Sequence, residues 1–435
     1  MNDEIKHTYG VPRWTGELAD CTLPLTFDTY SNCSFGCVYC FSQYQRGIGG
    51  GKEKYFNKEV TSCNVDKLKR LFKGEEPDSQ FWPYIKTRRP IQWGGLSDQF
   101  DGFEKQYGVS YEILSFLREI EYPICFSTKS AWVFKDPKWQ ELFKGADFWN
   151  VKFSIITLDE EDARRIEVGV PTPQERLEAM KIYNDLSKGG TTLRLRPFIV
   201  GVTDKSYLEL IEKAHEAGAS AVTTEFFCLE MRSINQAKEH YDVISRCAGF
   251  DIVDFYRKYS NGSGYLRLNR KIKEKYIQNM KELCHKLGMR FYVSDAHFKE
   301  ACDNCCCCAL PPEWDYSRGN FSAALQIAKK CGEVRWSDIE GDMYYLAGIK
   351  YGRAQGFNVN NSENRAKFMG LSMKDYMHYL WNMPKRGQSP YHLFERVLVP
   401  SGFDDNGDII YKYNEDVTFE KCRHIDRAEI VETRV

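Results

Sequence analysis

Short apolar runs alternate with longer amphipathic segments between about residues 90 and 295. The amphipathic segment 273–287 shows the pattern most clearly, because Ile277, Met280 and Cys284 recur at helical spacing and Gly288 follows as a C-terminal cap. Repeated helix–glycine–strand units predict a parallel α/β fold, and six or seven units favour a barrel or an open barrel, although a doubly wound sheet has the same periodicity. The predicted strands are residues 23–27, 91–93, 123–127, 150–156, 192–198, 221–226 and 290–293.

The pattern changes near residue 300, where a cysteine-dense segment begins. We therefore predict two parts: a barrel over residues 1–300 and a cysteine-rich capping region over residues 301–435. Within the second part, residues 396–400 and 409–413 flank Asn406-Gly407, which is typical of a tight β-hairpin.

The composition is that of a folded chain with little net charge: 42% of the 435 residues are hydrophobic and the formal net charge is −1. These values argue against a disordered chain and against a protein that coats nucleic acid non-specifically. No apolar leader or membrane-length apolar run is visible, so we expect a cytoplasmic protein with no membrane contact. In that compartment the 16 cysteines are expected to be reduced thiols or metal ligands.

Three cysteines follow the first predicted strand in the motif Cys33-Ser-Phe-Gly-Cys37-Val-Tyr-Cys40. Three thiolates leave one iron of a [4Fe–4S] cluster open to a cofactor or substrate. The alternative is a structural zinc site completed by a distant residue.

This spacing, with Tyr39 before the third cysteine, resembles the radical S-adenosylmethionine superfamily. The resemblance implies a partial (β/α)6 barrel in which S-adenosylmethionine chelates the open iron. It also implies that a reductant such as flavodoxin or ferredoxin drives formation of a 5′-deoxyadenosyl radical, which abstracts a hydrogen atom.

Further candidates for binding this cofactor lie where the predicted strands end. Gly94-Gly95 is similar to the superfamily's Gly-Gly-Glu segment, with Leu96 as a departure. A charged side chain within a barrel strand, such as Arg196, needs a partner, and a cofactor carboxylate is suitable. The alternative for each polar residue is an ordinary ion pair or strand-end group. The set is Gly94, Gly95, Ser127, Lys129, Thr157 and Arg196.

A closer resemblance, over about residues 25–205, is to spore photoproduct lyase-like radical enzymes. Gly94-Gly-Leu-Ser-Asp-Gln-Phe100 is similar to their segment that ends in Ser-Asp-Pro-Phe. Glu167 and Arg176 match a second motif of the group, in which Val168 replaces a proline, and would form an ion pair shaping the cofactor site. The alternative is a helix-start acid and a solvated arginine.

A second cysteine group, Cys302-Asp-Asn-Cys305-Cys-Cys-Cys308, follows the last predicted barrel strand, and Cys331 lies further on. We predict that Cys302, Cys305, Cys308 and Cys331 hold a second [4Fe–4S] cluster or a zinc ion. The alternative is a set of buried thiols.

Polar residues at the last strand ends are the candidates for contact with substrate. Glu225 could accept hydrogen bonds from the N–H groups of a base, and Asp295 and His297 follow the final strand. The predicted function is that of a lyase, similar to queuine lyase, acting on a modified nucleobase or nucleoside. Nearly neutral charge favours such a small substrate over duplex DNA. The alternatives are a DNA photoproduct repair lyase, a peptide-modifying radical enzyme and a non-catalytic cysteine–zinc protein.

Overall fold

The computed structural model describes residues 5–9, 12–42, 59–230, 234, 238–261, 265–295, 297–350, 368 and 370–417. Numbered along the chain, the strands are β1 His7–Tyr9, β2 Arg13–Trp14, β3 Leu25–Phe27, β4 Ser62–Cys63, β5 Ile91–Trp93, β6 Ile124–Thr128, β7 Trp149–Ser154, β8 Gly190–Phe198, β9 Ala221–Phe226, β10 Cys228–Glu230, β11 Ser260–Asn261, β12 Tyr265–Leu268, β13 Arg290–Val293, β14 Glu333–Val334, β15 Leu398–Phe403 and β16 Ile409–Tyr413.

The α-helices are Val65–Lys73, Trp82–Ile85, Gly102–Tyr107, Val109–Glu119, Trp132–Lys135, Pro137–Phe143, Glu160–Ile166, Pro173–Leu186, Tyr207–Glu216, Lys238–Ala248, Ile252–Tyr259, Arg270–Lys286, Phe321–Cys331, Met373–Trp381 and Pro390–Leu393. Turns of 3₁₀ helix cover Thr203–Lys205, Lys299–Ala301, Trp336–Asp338 and Glu340–Gly348.

The main sheet has the strand order β13-β9-β8-β7-β6-β5-β3-β2. Its strands are parallel, except that β2 pairs antiparallel with β3 at the edge. From β3 to β13 each strand pairs with the next main-sheet strand along the chain, as in a barrel and unlike a doubly wound sheet. The predicted α/β barrel class is therefore confirmed. Strands β3, β5–β9 and β13 correspond to the seven strands predicted from the sequence.

Helices cover the sheet, so its central strands have no solvated face. All five residues of β6 and all six of β7 are buried, although β7 alternates the apolar Trp149, Val151 and Phe153 with polar or charged residues. The clearest predicted helix, 273–287, is the observed helix Arg270–Lys286. It begins three residues earlier than predicted because the Asn269 side chain caps it by accepting from the amide N–H of Ile272 at 3.0 Å.

Residues beyond 300 pack against the barrel and contribute to the same core. The Tyr345 ring stacks on Trp14, with centroids 5.8 Å apart. The predicted hairpin is confirmed as β15 and β16, and β14 extends it to three strands. The boundary at residue 300 stays a prediction. None of the helices that the structure describes is long and apolar enough to cross a bilayer.

Candidate active site

A cavity of about 290 Å³ opens at the carboxyl ends of β3 and β5–β9. Each of these six strands, or the segment that follows it, contributes lining residues. They include Cys33, Cys37, Tyr39, Cys40, Gly94, Gly95, Ser127, Lys129, Ser154, Arg196 and Glu225. The structure therefore brings together in one cavity most of the cofactor residues predicted from separate segments of the sequence.

The first cysteine loop is held by hydrogen bonds to its backbone. The Ser34 N–H donates to Oδ2 of Asp101 at 2.5 Å, and the Val38 N–H donates to the Ile166 carbonyl at 2.9 Å. Gly36 adopts a φ of +62°, which allows the chain to turn between Cys33 and Cys37. These contacts hold the three thiols in a compact loop that lines the cavity.

The donor set and its surroundings fit an iron–sulfur cluster. Burial raises the pKa of Cys33, and it raises the pKa of Cys37 to about 12, so a cation would be needed to hold these groups as thiolates. Among the residues described, no three Cys, His, Asp or Glu side chains converge on a point that suits a single metal ion. A cubane has a different requirement, because each thiolate binds a different iron.

A buried ion pair contacts Tyr39, the residue before the third cysteine. The Tyr39 hydroxyl donates to Oε1 of Glu167, whose other oxygen lies 2.6 Å from Nη2 of Arg176. Both charged side chains are 1% exposed, and Arg176 also donates to the Ser154 carbonyl at 2.6 Å. The predicted pairing of Glu167 with Arg176 is present, and it acts on the site through Tyr39.

The glycine pair forms a turn that a side chain at its first position would block. Gly94 has a φ of +79°, and a Cβ there would lie 2.1 Å from Oε1 of Gln99. Asp28 fixes the following segment by accepting from the N–H groups of Leu96 and Ser97 at 2.7 and 3.1 Å. Leu96 thus stands where the superfamily motif carries a carboxylate, and Asp28 holds its backbone N–H.

The end of β6 offers an unpaired hydroxyl and a cation. The Ser127 Oγ is buried and has no hydrogen-bond partner among the described residues, as expected of a group awaiting a ligand. Lys129 lies 5.6 Å above the centre of the Tyr39 ring. Asp98 anchors this segment, accepting from the Lys129 N–H at 2.6 Å and the Thr128 hydroxyl at 2.9 Å.

Two arginines on alternate positions of β8 point to the same side of the sheet. Arg196 pairs with Glu225 on β9 at 2.5 Å. Burial raises the pKa of Glu225, and Arg196 opposes that shift. Arg194 donates to the Ser154 hydroxyl at 3.1 Å, and burial and Arg196 lower its pKa to about 10. Our sequence analysis missed Arg194, although the alternation Leu-Arg-Leu-Arg could have revealed it.

Besides Glu167 and Arg176, which reach the site only through Tyr39, the predicted residues Thr157, Asp295 and His297 do not line the cavity. The Thr157 hydroxyl is buried and accepts from the Asp159 N–H at 3.1 Å. Asp295 lies 2.5 Å from Nζ of Lys273, and His297 lies 2.9 Å from Glu395. Although burial opposes the shift, Lys273 and His297 hold the pKa of Asp295 below its usual range. Asp295 and His297 thus belong to a buried charge network, and their catalytic role stays a prediction.

The second cysteine group lies at the start of the strands, and its predicted ligands do not all meet. Cys302 exchanges hydrogen bonds with the backbone of Val293, and Cys331 is exposed at a helix end. A small packed cluster instead unites Cys305 and Cys308 with three cysteines outside the predicted ligand set, Cys21, Cys125 and Cys306. Among the described residues no three of these thiols converge as ligands of a single metal ion, so the second metal site stays a prediction.

No protein-family model and no curated protein matches the chain. Solved structures do. A spore photoproduct lyase mutant is 19% identical over 65% of this chain and 80% of that one, with a TM-score of 0.46. SuiB from Streptococcus suis bound to S-adenosylmethionine is 9% identical over 63% of this chain and 51% of that one, with a TM-score of 0.40. The radical S-adenosylmethionine methyltransferase TsrM from Kitasatospora setae, with cobalamin and a [4Fe–4S] cluster bound, is 11% identical over 47% and 37%, with a TM-score of 0.32. Of these, TsrM is a radical S-adenosylmethionine enzyme, the superfamily that the sequence resembles, and SuiB binds S-adenosylmethionine.

Proposed function

We propose that the chain is a radical S-adenosylmethionine enzyme that acts as a lyase on a modified nucleobase or nucleoside. One observation carries the proposal: Cys33, Cys37 and Cys40 face the same cavity as the glycine pair and the polar ends of β6 and β8. When bound, a [4Fe–4S] cluster with an open iron supplies the electron that cleaves S-adenosylmethionine to a hydrogen-abstracting radical.

The residues of the chain have separable tasks in this proposal. The three cysteines hold the cluster, and the Gly94-Gly95 turn lets the backbone approach the cofactor closely. The unpaired Ser127 hydroxyl and the cations Lys129 and Arg194 offer a donor and positive charge for the ribose and carboxylate.

The size and polarity of the cavity support a small substrate. A volume of about 290 Å³ lies near the lower end for small-molecule sites, which suits a single base or nucleoside. Glu225 lines the cavity across from the cysteine loop, with a carboxylate that can accept from base N–H groups. Neither observation chooses a particular base.

The test is anaerobic reconstitution with iron and sulfide, followed by dithionite and S-adenosylmethionine. We expect a brown protein that releases 5′-deoxyadenosine, and we expect Cys37→Ala to lose both properties. Cys63→Ala is the matched control, because Cys63 is also a buried thiol but lies on β4, away from the cavity. A colourless zinc protein, or undiminished turnover in Cys37→Ala, would refute the proposal.

The substrate class is tested separately by adding deazaguanine bases, their nucleosides or short peptides to the reconstituted enzyme. A base or nucleoside should increase 5′-deoxyadenosine release and yield a cleaved product. Stimulation by peptide alone would reject the nucleobase assignment while leaving the radical chemistry in place.

A further inference from the structure

More cationic side chains line the cavity than the single carboxylate of S-adenosylmethionine can pair with. Four cationic side chains line it: Lys129, Arg194, Arg196 and Arg267. Within the part of the chain that the structure describes, only Arg196 of these four forms an ion pair. A cation that lines a cavity and forms no ion pair is available to an anionic ligand, so Lys129, Arg194 and Arg267 are candidates to bind negative charge.

Arg267 is set apart from the other three by its position. Lys129, Arg194 and Arg196 belong to the barrel strands or their ends, whereas Arg267 lies on β12 of a separate three-stranded sheet. S-adenosylmethionine offers a single carboxylate, and Lys129, which lies 5.6 Å from the centre of the Tyr39 ring, is the cation beside the cysteine loop. Arg267 therefore requires a different anion.

Strand pairing fixes where the Arg267 side chain lies. Arg267 is directly opposite Cys228 in the antiparallel pair β10–β12, so the two side chains share one face. Tyr265 is two residues away and shares that face too, with its ring centre 5.4 Å from the Arg267 guanidinium carbon. Leu266 and Leu268 are buried on the opposite face. All three polar side chains line the cavity.

In the described part of the chain no acidic side chain forms an ion pair with Arg267, although Glu230 lies opposite Tyr265 on the same sheet face and Glu17 lines the same cavity. Glu225 pairs with Arg196 at 2.5 Å, and Asp295 pairs with Lys273 at 2.5 Å. Neither carboxylate forms an ion pair with Arg267 in the described part of the chain. Arg267 thus keeps its full hydrogen-bonding fork, which matches a phosphate or a carboxylate.

We propose that Arg267 and Tyr265 form a recognition site for an acidic group of the substrate. This role rests on the proposed function, because the occupant is the molecule on which the radical acts. The substrate is then an acidic derivative of a base or nucleoside, held by an oxyanion at Arg267 and an aromatic face at Tyr265. A phosphate monoester and a carboxylate are the two sources of that oxyanion.

Cys228 is a built-in reporter of the charge at this site. Its alkylation can be followed by peptide mass spectrometry with iodoacetate, which is anionic, and iodoacetamide, which is neutral. The ratio of the two rates cancels any change in the fraction of thiolate. Arg267→Gln should lower the iodoacetate-to-iodoacetamide ratio by about fivefold, while Arg267→Lys should retain most of it. Arg257→Gln is the control, because Arg257 is an exposed arginine paired with Asp254.

Inorganic phosphate and benzoate then distinguish the two sources, with chloride at equal ionic strength as the reference. Protection of Cys228 by phosphate, lost in Arg267→Gln, would assign a phosphate group; protection by benzoate would assign a carboxylate. An unchanged ratio in Arg267→Gln, or protection no better than with chloride, would overturn the proposal. These measurements need neither reductant nor S-adenosylmethionine, so their failure is distinct from failure of the radical chemistry.

Discussion

The two cysteine groups occupy opposite chemical settings in one barrel. The first loop is framed by buried carboxylates: Asp101 accepts from the Ser34 N–H, Glu104 accepts from the Tyr30 hydroxyl at 2.6 Å, and Glu167 accepts from the Tyr39 hydroxyl. The second group is packed with apolar side chains, including Leu23, Leu310 and Tyr316. The two cysteine-rich segments therefore have very different local structures.

Backbone contacts sharpen this difference. Strand side chains bind the carbonyls of the second group: the Thr223 hydroxyl donates to Cys307 at 2.7 Å, and the Asn150 amide donates to Cys308 at 3.4 Å. These bonds fasten the segment across the start of the strands. The first loop instead has its thiols on the cavity, with its polar supports behind them. A reactive centre needs the arrangement of the first loop, in which the accessible thiols and the supporting hydrogen bonds lie on opposite sides.

The largest expected effect is the loss of a whole metal centre. If the second group binds a metal, Cys308→Ala should remove one centre per chain and leave the first cluster's absorbance and 5′-deoxyadenosine release intact. Cys331→Ala is the matched control, since Cys331 is exposed and lies outside the packed cluster. Metal analysis by mass spectrometry checks this. If one [4Fe–4S] cluster accounts for all the metal in the unmodified protein, the second group is a set of structural thiols.

The next largest effect concerns the buried ion pair of Glu167 and Arg176 beside the first cysteine loop. Arg176→Met leaves Glu167 charged and buried, which should lower the free energy of unfolding by about 3–5 kcal/mol. Urea denaturation measures the change. Arg164→Met, at an exposed arginine on the neighbouring helix Glu160–Ile166, should change stability by less than about 0.5 kcal/mol.

A double variant separates charge from packing at the same place. Glu167→Gln with Arg176→Met removes both buried charges and should recover part of the stability lost in the single variant. If Arg176→Met costs no more than Arg164→Met, the pair does not brace the loop.

The sequence predicted the strands well because short apolar patterns stand out between the amphipathic helices, as in Ile124-Cys125-Phe126 of β6 and the alternation of apolar and polar residues in β7. It also predicted the cavity residues that follow these strands, since parallel strands end at one edge. It could not predict that Cys21 and Cys125 join Cys306 and Cys308, because that association depends on how distant segments meet when the barrel forms.

Site residues outside the barrel strands were harder to find. Arg267 lies in the alternating stretch Tyr-Leu-Arg-Leu, which is a strand signal, but nothing local indicates that this strand borders the cavity. Conversely, Asp295 and His297 lie at a strand end, as the barrel rule requires, yet Lys273 and Glu395 engage them. The rule locates the edge of the sheet, and the neighbouring charges decide which side chains remain available there.

The smallest predicted effect is a pH dependence of stability that comes from Glu104, one of the buried carboxylates around the first cysteine loop. Burial raises the pKa of Glu104 to about 7, although hydrogen bonds from Tyr30, Ser110 and Tyr111 oppose the shift. Between its ordinary value of 4.5 and about 7, the folded chain then binds the Glu104 proton more tightly than the unfolded chain. Stability must therefore fall as pH rises through this window, by up to about 1.4 kcal/mol per pH unit.

Urea denaturation of the unmodified protein and of Glu104→Gln between about pH 5 and about pH 7 measures that slope. Because Gln resembles the protonated carboxyl, the free energy of unfolding of the unmodified protein minus that of Glu104→Gln should decrease with rising pH, whereas the corresponding difference for Glu212→Gln, at an exposed position, should stay constant. Tyr30 connects Glu104 to the strand that leads into the first cysteine loop, so amide exchange near Cys33 should accelerate over the same range. Exchange near Cys308 should not, because apolar packing surrounds that group. A pH-independent difference for Glu104→Gln would mean that the three hydrogen bonds outweigh burial and keep Glu104 ionised, and the frame would then be a fixed set of anions.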